Sequence, residues 1–172
     1  DEQLRRLQTD HIDFYLLHNV NVHNWKTVKK LNMLPFLEKQ RDKGRIRQIG
    51  FSFHDSLELF KEVIDAYPWD FCQIQYNYCD EHAQAGAAGL KYAAGKGIPV
   101  IVMEPLKGGR LANGLPKEAQ RAFLEAAPKR SFASWGFRWL YRQKEVCTVL
   151  SGMNDLAQVE DNLATASLPR EE

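Results

Sequence analysis

His18 closes a short apolar run at residues 13–18 and is the first of several polar side chains that each follow such a run. Ser52 ends the run 46–53. Gln73 and Gln75 fall on one side of 71–76, with Asn77 just beyond. Glu104 follows 98–103, and Ser151-Gly152-Met153-Asn154 follows 146–150. A histidine changes charge near neutral pH and can orient or protonate a ligand oxygen, while hydroxyls and carboxamides supply fixed hydrogen bonds. Polar groups at the C-terminal ends of parallel strands are where α/β proteins keep their chemistry. Several of them at one rim imply a polar ligand or a hydrogen-bonded network. Each also has a plainer reading as a strand end bonded to its neighbours.

A second group suits phosphate. Lys107-Gly108-Gly109-Arg110 and Ser151-Gly152 offer exposed backbone N–H groups after the last two runs, where the late strands of a barrel often hold a phosphate. A simple turn is the alternative. Glu104 is a candidate carboxylate whose simpler role is a salt bridge. His11, His23, His54 and His82 show no metal spacing and are assigned to the surface. Cys72 and Cys147 are read as buried filler and Cys79 as a loop thiol. Three cysteines at wide spacing make neither a disulfide framework nor a zinc site, so a cytoplasmic location is expected.

These residues need elements to place them. Strands are expected at 13–18, 46–53, 71–76, 98–103 and 146–150, on apolar character and length. Phe14, Leu16 and His18 share one face of the first strand, and Asp13, Tyr15 and Leu17 the other. Apolar residues on both faces mark it as a covered, central strand. Helices are expected at 1–8, 31–43 (Leu31, Leu34 and Leu37 inward; Glu38, Lys39 and Arg41 outward), from 55 or 56 to Pro68, and at 83–95. Further helices are expected at 116–126, 131–143 and 155–166. A polar loop carries Asn19, Asn21, His23 and Asn24, and residues 168–172 read as a cut end or linker. Trp135, Phe137 and Trp139 are assigned to helix packing.

Five β-α units in succession mean a parallel sheet with helices outside. An open doubly wound sheet is one solution. The last five units of an eight-unit (β/α)8 TIM barrel are the other, preferred because the chain opens part-way through a helix and lacks a Gly-rich first turn. The chain has 172 residues, 44% hydrophobic and 26% charged, as in an ordinary globular domain. A net charge of +1 gives no electrostatic case for nucleic acid or an anionic membrane, and no apolar stretch approaches the ~20 residues of a membrane span.

Taken together, Leu7 with residues 10–18, then 44–52, 73–77, 105–109 and 159–163, each at an expected element end, resemble the aldo-keto reductase superfamily across nearly the whole chain. The resemblance implies a (β/α)8 barrel of which residues 1–172 form the C-terminal five-eighths, strands four to eight, with the N-terminal part missing. It implies carbonyl reduction with a nicotinamide dinucleotide, usually NADPH. In the family a Tyr acts as general acid beside a Lys and an Asp, and a His orients the carbonyl. His18 matches that His, whereas the Tyr, Lys and Asp belong to the first half of the barrel. Ser52 and Gln73 match residues that hold the nicotinamide carboxamide. Leu106, Gly108 and Gly109 match the pyrophosphate loop, and Ser151, Gly152 and Asn154 form the last strand's loop. Asp161 and Asn162 match adenine-side contacts.

Three positions depart from the family pattern. Phe53 replaces an Asn beside the Ser, and Met103 stands where an aromatic stacks on the nicotinamide. Gln158 occupies the place of an Arg that reads the 2′-phosphate, which leaves NAD as an alternative to NADP; Lys107, Arg110 or a missing segment are candidate substitutes. The wording around residues 50–54 and 103–109 also resembles members with a ferredoxin-like C-terminal extension, so an iron–sulfur cluster is expected only in such an extension. The implied partners are a small carbonyl substrate and either the remaining barrel half or a second copy of the chain. The alternative is a non-catalytic cofactor-binding or scaffold half-barrel.

Overall fold

The computed structural model describes residues 1–169; the end of the expected tail, residues 170–172, lies outside them. A short helix, α1 (Glu2–Leu7), leads into β1 (Ile12–Val20). The chain then runs through α2 (Val22–Lys30), α3 (Met33–Asp42), β2 (Ile46–Phe53), α4 (Leu57–Asp65), β3 (Phe71–Gln75), α5 (Gly86–Gly95) and β4 (Val100–Met103). It ends with α6 (Arg110–Asn113), α7 (Lys117–Ala126), α8 (Phe132–Tyr141), β5 (Val146–Val149) and α9 (Leu156–Ala166). The strands form one parallel sheet in the order β1-β2-β3-β4-β5. Sequential order is that of a singly wound barrel wall; a doubly wound sheet reverses its strand order at a switch point. The five strands and their helices are therefore part of a barrel.

Alternation divides the sheet into two faces. Ile49, Phe51 and Phe53 of β2, Cys72 and Ile74 of β3, and Val100 and Val102 of β4 point at the helices and are buried. They meet Phe60, Val63 and Ile64, which α4 presents at the i, i+3, i+4 spacing of a helix stripe. Phe60 packs against Phe51 at 6.0 Å and Phe53 at 5.1 Å between ring centroids. Ser56 caps α4 by accepting the Leu59 amide. The other, concave face carries Phe14, Leu16 and His18, Gly50 and Ser52, Phe71, Gln73 and Gln75, and Ile101 and Met103, with Leu16 beside Gly50, Gly50 beside Phe71, Ser52 beside Gln73, Gln73 beside Ile101 and Gln75 beside Met103. Gly50 is needed there because Phe71 lies flat over it: a Cβ would sit 2.6 Å from three ring atoms.

Several expectations are corrected. Phe14, expected on a strand covered on both faces, is 64% exposed on the concave side of β1. The loop expected after it contains α2, anchored by buried Trp25 and Val28, with Asn21 accepting the His23 and Asn24 amides as cap. Leu31 is exposed, because it follows α2 and the left-handed Asn32 turns the chain before α3 begins. Arg41 is half-buried, paired with Asp70 at 3.2 Å. Cys147, expected as buried filler, is exposed on β5. α6 was not expected at all. The carbonyls of Leu168 and Pro169, expected as a loose end, accept hydrogen bonds from buried Arg138. Among the described residues, no helix is long and apolar enough to cross a membrane.

Candidate functional site

The site lies beyond the C-terminal ends of the strands. Along β1 the ladder to β2 is interrupted after Leu17 and resumes at Val20, with Asn19 in the left-handed region at φ 55°. The buried Ser52 hydroxyl spans this gap by accepting the Asn19 amide at 2.8 Å. Its oxygen therefore supports the backbone beside His18 and keeps its own proton free to donate. His18 is exposed on the concave side and hydrogen-bonds no described residue. On the neighbouring strands the Gln73 carboxamide donates to the Met103 sulfur at 3.2 Å, leaving its carbonyl oxygen available.

Beyond β3 and β4 two loops are locked together. Wholly buried Asn77 accepts the amides of Cys79 and Asp80 and donates to the Glu104 carbonyl and the Asp80 carboxylate. Asp80 also receives Lys107 at 2.6 Å and Gln75 at 3.3 Å. The Lys107 hydrogen bond above all holds the Asp80 carboxyl below the usual carboxylate range, against the opposing pull of burial, with Asn77 and Gln75 adding to it. The anchored loop needs positive φ at Glu104, Lys107, Gly108 and Gly109. Gly136 on α8 lets the loop seat closely, because a Cβ there would lie 2.7 Å from Leu106 Cδ2. Lys107 thus serves as an anchor and is absent from the cleft lining. Glu104, expected to form a salt bridge, forms none with a described residue.

Next to this loop is a cleft of about 1010 Å³. It is bounded by the loop after β4, the loop after β5 and the first turns of α8 and α9. Nine of the expected cofactor residues line it: Leu106, Gly108, Gly109, Ser151, Gly152, Asn154, Gln158, Asp161 and Asn162. Ser52, Gln73 and Met103 are not among its walls and sit on the concave face of the sheet. The amides of Gly108, Gly109, Ser151 and Gly152 donate to no other described residue. A Cβ on Gly109 or Gly152 would meet nothing within 4 Å, so the backbone there is open to close approach. Ser131 caps α8 and donates to Asp161 at 2.6 Å, which ties α8 to α9. Asp155 caps α9 through the Gln158 amide, and Asn162 donates to Ser151 at 2.9 Å. Free backbone donors between two helix N-termini make a surface for an anionic, phosphate-bearing ligand.

Sequence reasoning missed Arg130, which lines the cleft and rests on Trp135. An Arg before a helix cap carries no periodic signal; the nearest clue is its spacing of five residues from a Trp. Among the described residues no group of three or more His, Cys, Asp or Glu could hold a metal.

The comparisons with known proteins bear on the family and the fold. The model of the aldo/keto reductase family matches residues 1–172. L-galactose dehydrogenase of Arabidopsis thaliana is 28% identical over 181 residues, covering 97% of this chain and 56% of that protein. The holo form of an aldo-keto reductase from Bacillus halodurans superposes with a TM-score of 0.76 at 23% identity, over 98% of this chain and 59% of that one. An aldo-keto reductase from Klebsiella pneumoniae in complex with NADPH gives 0.68 at 25% identity, over 96% of this chain and 56% of that one. The chain thus spans little more than half the length of these relatives. None of them supports the iron–sulfur expectation. The chain belongs to the aldo/keto reductase family.

Proposed function

We propose that this chain supplies the cofactor cleft and the carbonyl-orienting histidine of an NADP(H)-dependent oxidoreductase that interconverts small carbonyl compounds and alcohols. The observation that carries this reading is the cleft itself, where uncommitted amides of two glycine-containing loops meet two helix N-termini beside the strand ends. The Klebsiella pneumoniae relative with NADPH supports the choice of cofactor.

The residues present fit a dinucleotide. Gly108, Gly109, Ser151 and Gly152 would hold its pyrophosphate through backbone N–H groups, and Asn154, Gln158, Asp161 and Asn162 would face its adenosine half. Ser52 and Gln73 would hold the nicotinamide carboxamide, one through its free hydroxyl proton and the other through its free carbonyl oxygen, with Met103 packed against the ring. The bound nicotinamide would supply hydride to a carbonyl carbon. His18 would donate a ring N–H to the carbonyl oxygen and fix its direction. The Tyr that protonates this oxygen, with its Lys and Asp, would come from the part of the barrel that these residues do not span.

A second reading, a barrel portion that binds the cofactor without turnover, draws on one observation: among the described residues no Tyr lines the cleft. Fluorescence titration with NADPH and a carbonyl-reduction assay on the protein carrying this chain separate the two. His18→Ala is expected to lower kcat about 10²-fold or more with cofactor Kd changed less than about twofold. An unchanged kcat removes His18 from the site, and binding without turnover of any carbonyl favours the second reading.

A further inference from the structure

Arg130 is the one Lys or Arg among the described residues that line the cleft, where the acids are Glu104, Asp155 and Asp161. Two of those acids are already engaged, Asp155 with the Gln158 amide and Asp161 with the Ser131 hydroxyl. Arg130 itself forms no ion pair with a described residue. Its guanidinium lies 4.8 Å from the centroid of the Trp135 ring, and Trp135 stacks on Phe123 at 5.2 Å with an interplanar angle of 22°. A ring beneath a planar cation holds it by one face and leaves the N–H fork for a ligand. A half-buried cation with no carboxylate, in a cleft of free amide donors, is built to receive an anion.

The position says which anion. Arg130 immediately precedes the α8 cap, beside α9. It lines the cleft, whereas Ser52, Gln73 and Met103 at the strand ends do not. A dinucleotide whose nicotinamide lies at those strand ends brings its adenosine half toward Arg130. Gln158, which fills the place of the expected phosphate-reading Arg, is uncharged, and its side-chain oxygen already accepts the Asn154 amide at 3.1 Å. Resting on the cofactor reading above, we infer that Arg130 reads the 2′-phosphate of NADP(H) and sets the preference for it over NAD(H). The guanidinium fork matches two phosphate oxygens at once, which an amide at position 158 does not.

The test is calorimetric titration of the protein carrying this chain with adenosine 2′,5′-bisphosphate and with 5′-AMP, comparing wild type with Arg130→Met and Arg130→Lys. Wild type is expected to bind the bisphosphate more tightly than 5′-AMP. Arg130→Met is expected to weaken the bisphosphate about ten- to hundredfold and 5′-AMP by less than about twofold. Arg130→Lys, which keeps the charge without the fork, falls between. Where the Met variant does not fold, Arg130→Gln takes its place, since it retains a stem over Trp135. Equal losses for the two nucleotides, or an undiminished bisphosphate, overturn the role of Arg130 while binding of 5′-AMP leaves the dinucleotide reading standing. A wild type that binds neither nucleotide overturns both.

Discussion

Asp80→Ala removes the group on which the loops after β3 and β4 converge, and its cost is built from three partners. Lys107 sits 2.6 Å from Asp80 but is 39% exposed, so its ammonium regains water and the pair contributes about 1 kcal/mol or less. Asn77 is wholly buried; it keeps its bond to the Glu104 carbonyl and loses the one to Asp80 at 3.0 Å, worth about 1 kcal/mol. Gln75, at 3.3 Å, adds roughly 0.5 kcal/mol. The expected loss is therefore about 2 kcal/mol at pH 7, read from urea unfolding. The loss depends on pH with a definite sign. The folded-state carboxyl lies below the 3.8 of an unperturbed aspartate. Its contribution is accordingly complete above that value and disappears as pH falls through the lower, folded one. The gap between wild type and Asp80→Ala should stay constant from pH 7 to about 5 and close below about 4. A gap that persists undiminished in acid, or one below about 0.5 kcal/mol at pH 7, would refute the reasoning.

Two further changes probe the sheet faces. Gly50→Ala places a Cβ against the Phe71 ring, which is buried and edge-on to Phe14 at 5.5 Å. It should destabilise by about 1–3 kcal/mol, with Phe71→Leu recovering part of the loss in the double mutant; strictly additive effects would show that the ring is not the obstacle. Burial pushes the Cys72 thiol up to about 12. Iodoacetamide at about pH 8 should therefore label exposed Cys79 and Cys147 and spare Cys72 until denaturant is added, as followed by peptide mass mapping. Rapid labelling of Cys72 in the folded protein would contradict its place in the buried core.

The order of strands was legible because each is a brief apolar run ended by Gly, Pro or a polar residue, and those signals are local. α2 was hidden by its polarity: Trp25 and Val28 are its only buried anchors, and the surrounding asparagines read as a loop although Asn21 is a helix cap. α6 has four residues, too few for any periodic signal. Leu31 and Cys147 were misplaced because exposure depends on neighbours in the fold, which for Leu31 are set by the left-handed turn at Asn32 that follows it. The role of Lys107 was misread for the same reason. Its partner Asp80 is 27 residues away and meets it only when two strand-end loops come together.

The candidate site divides along the same line. Most of the cleft is made of backbone, the amides of the loops at 108–109 and 151–152 and the first turns of α8 and α9. Where a glycine falls and where a helix begins follow from chain order, so these residues were found from sequence. A surface of backbone donors favours an anion without choosing between closely related ones. On the proposed reading that choice falls to side chains at the two ends. At one end His18, which hydrogen-bonds no described residue, stands on a strand whose backbone is tied to Ser52; at the other, Arg130, which forms no ion pair with a described residue, rests on a Trp135–Phe123 stack. Each group is placed by a contact remote in sequence or carried on side-chain packing, so on the proposed reading selectivity would reside in the tertiary structure while the capacity to hold a phosphate-bearing ligand would reside in the motifs.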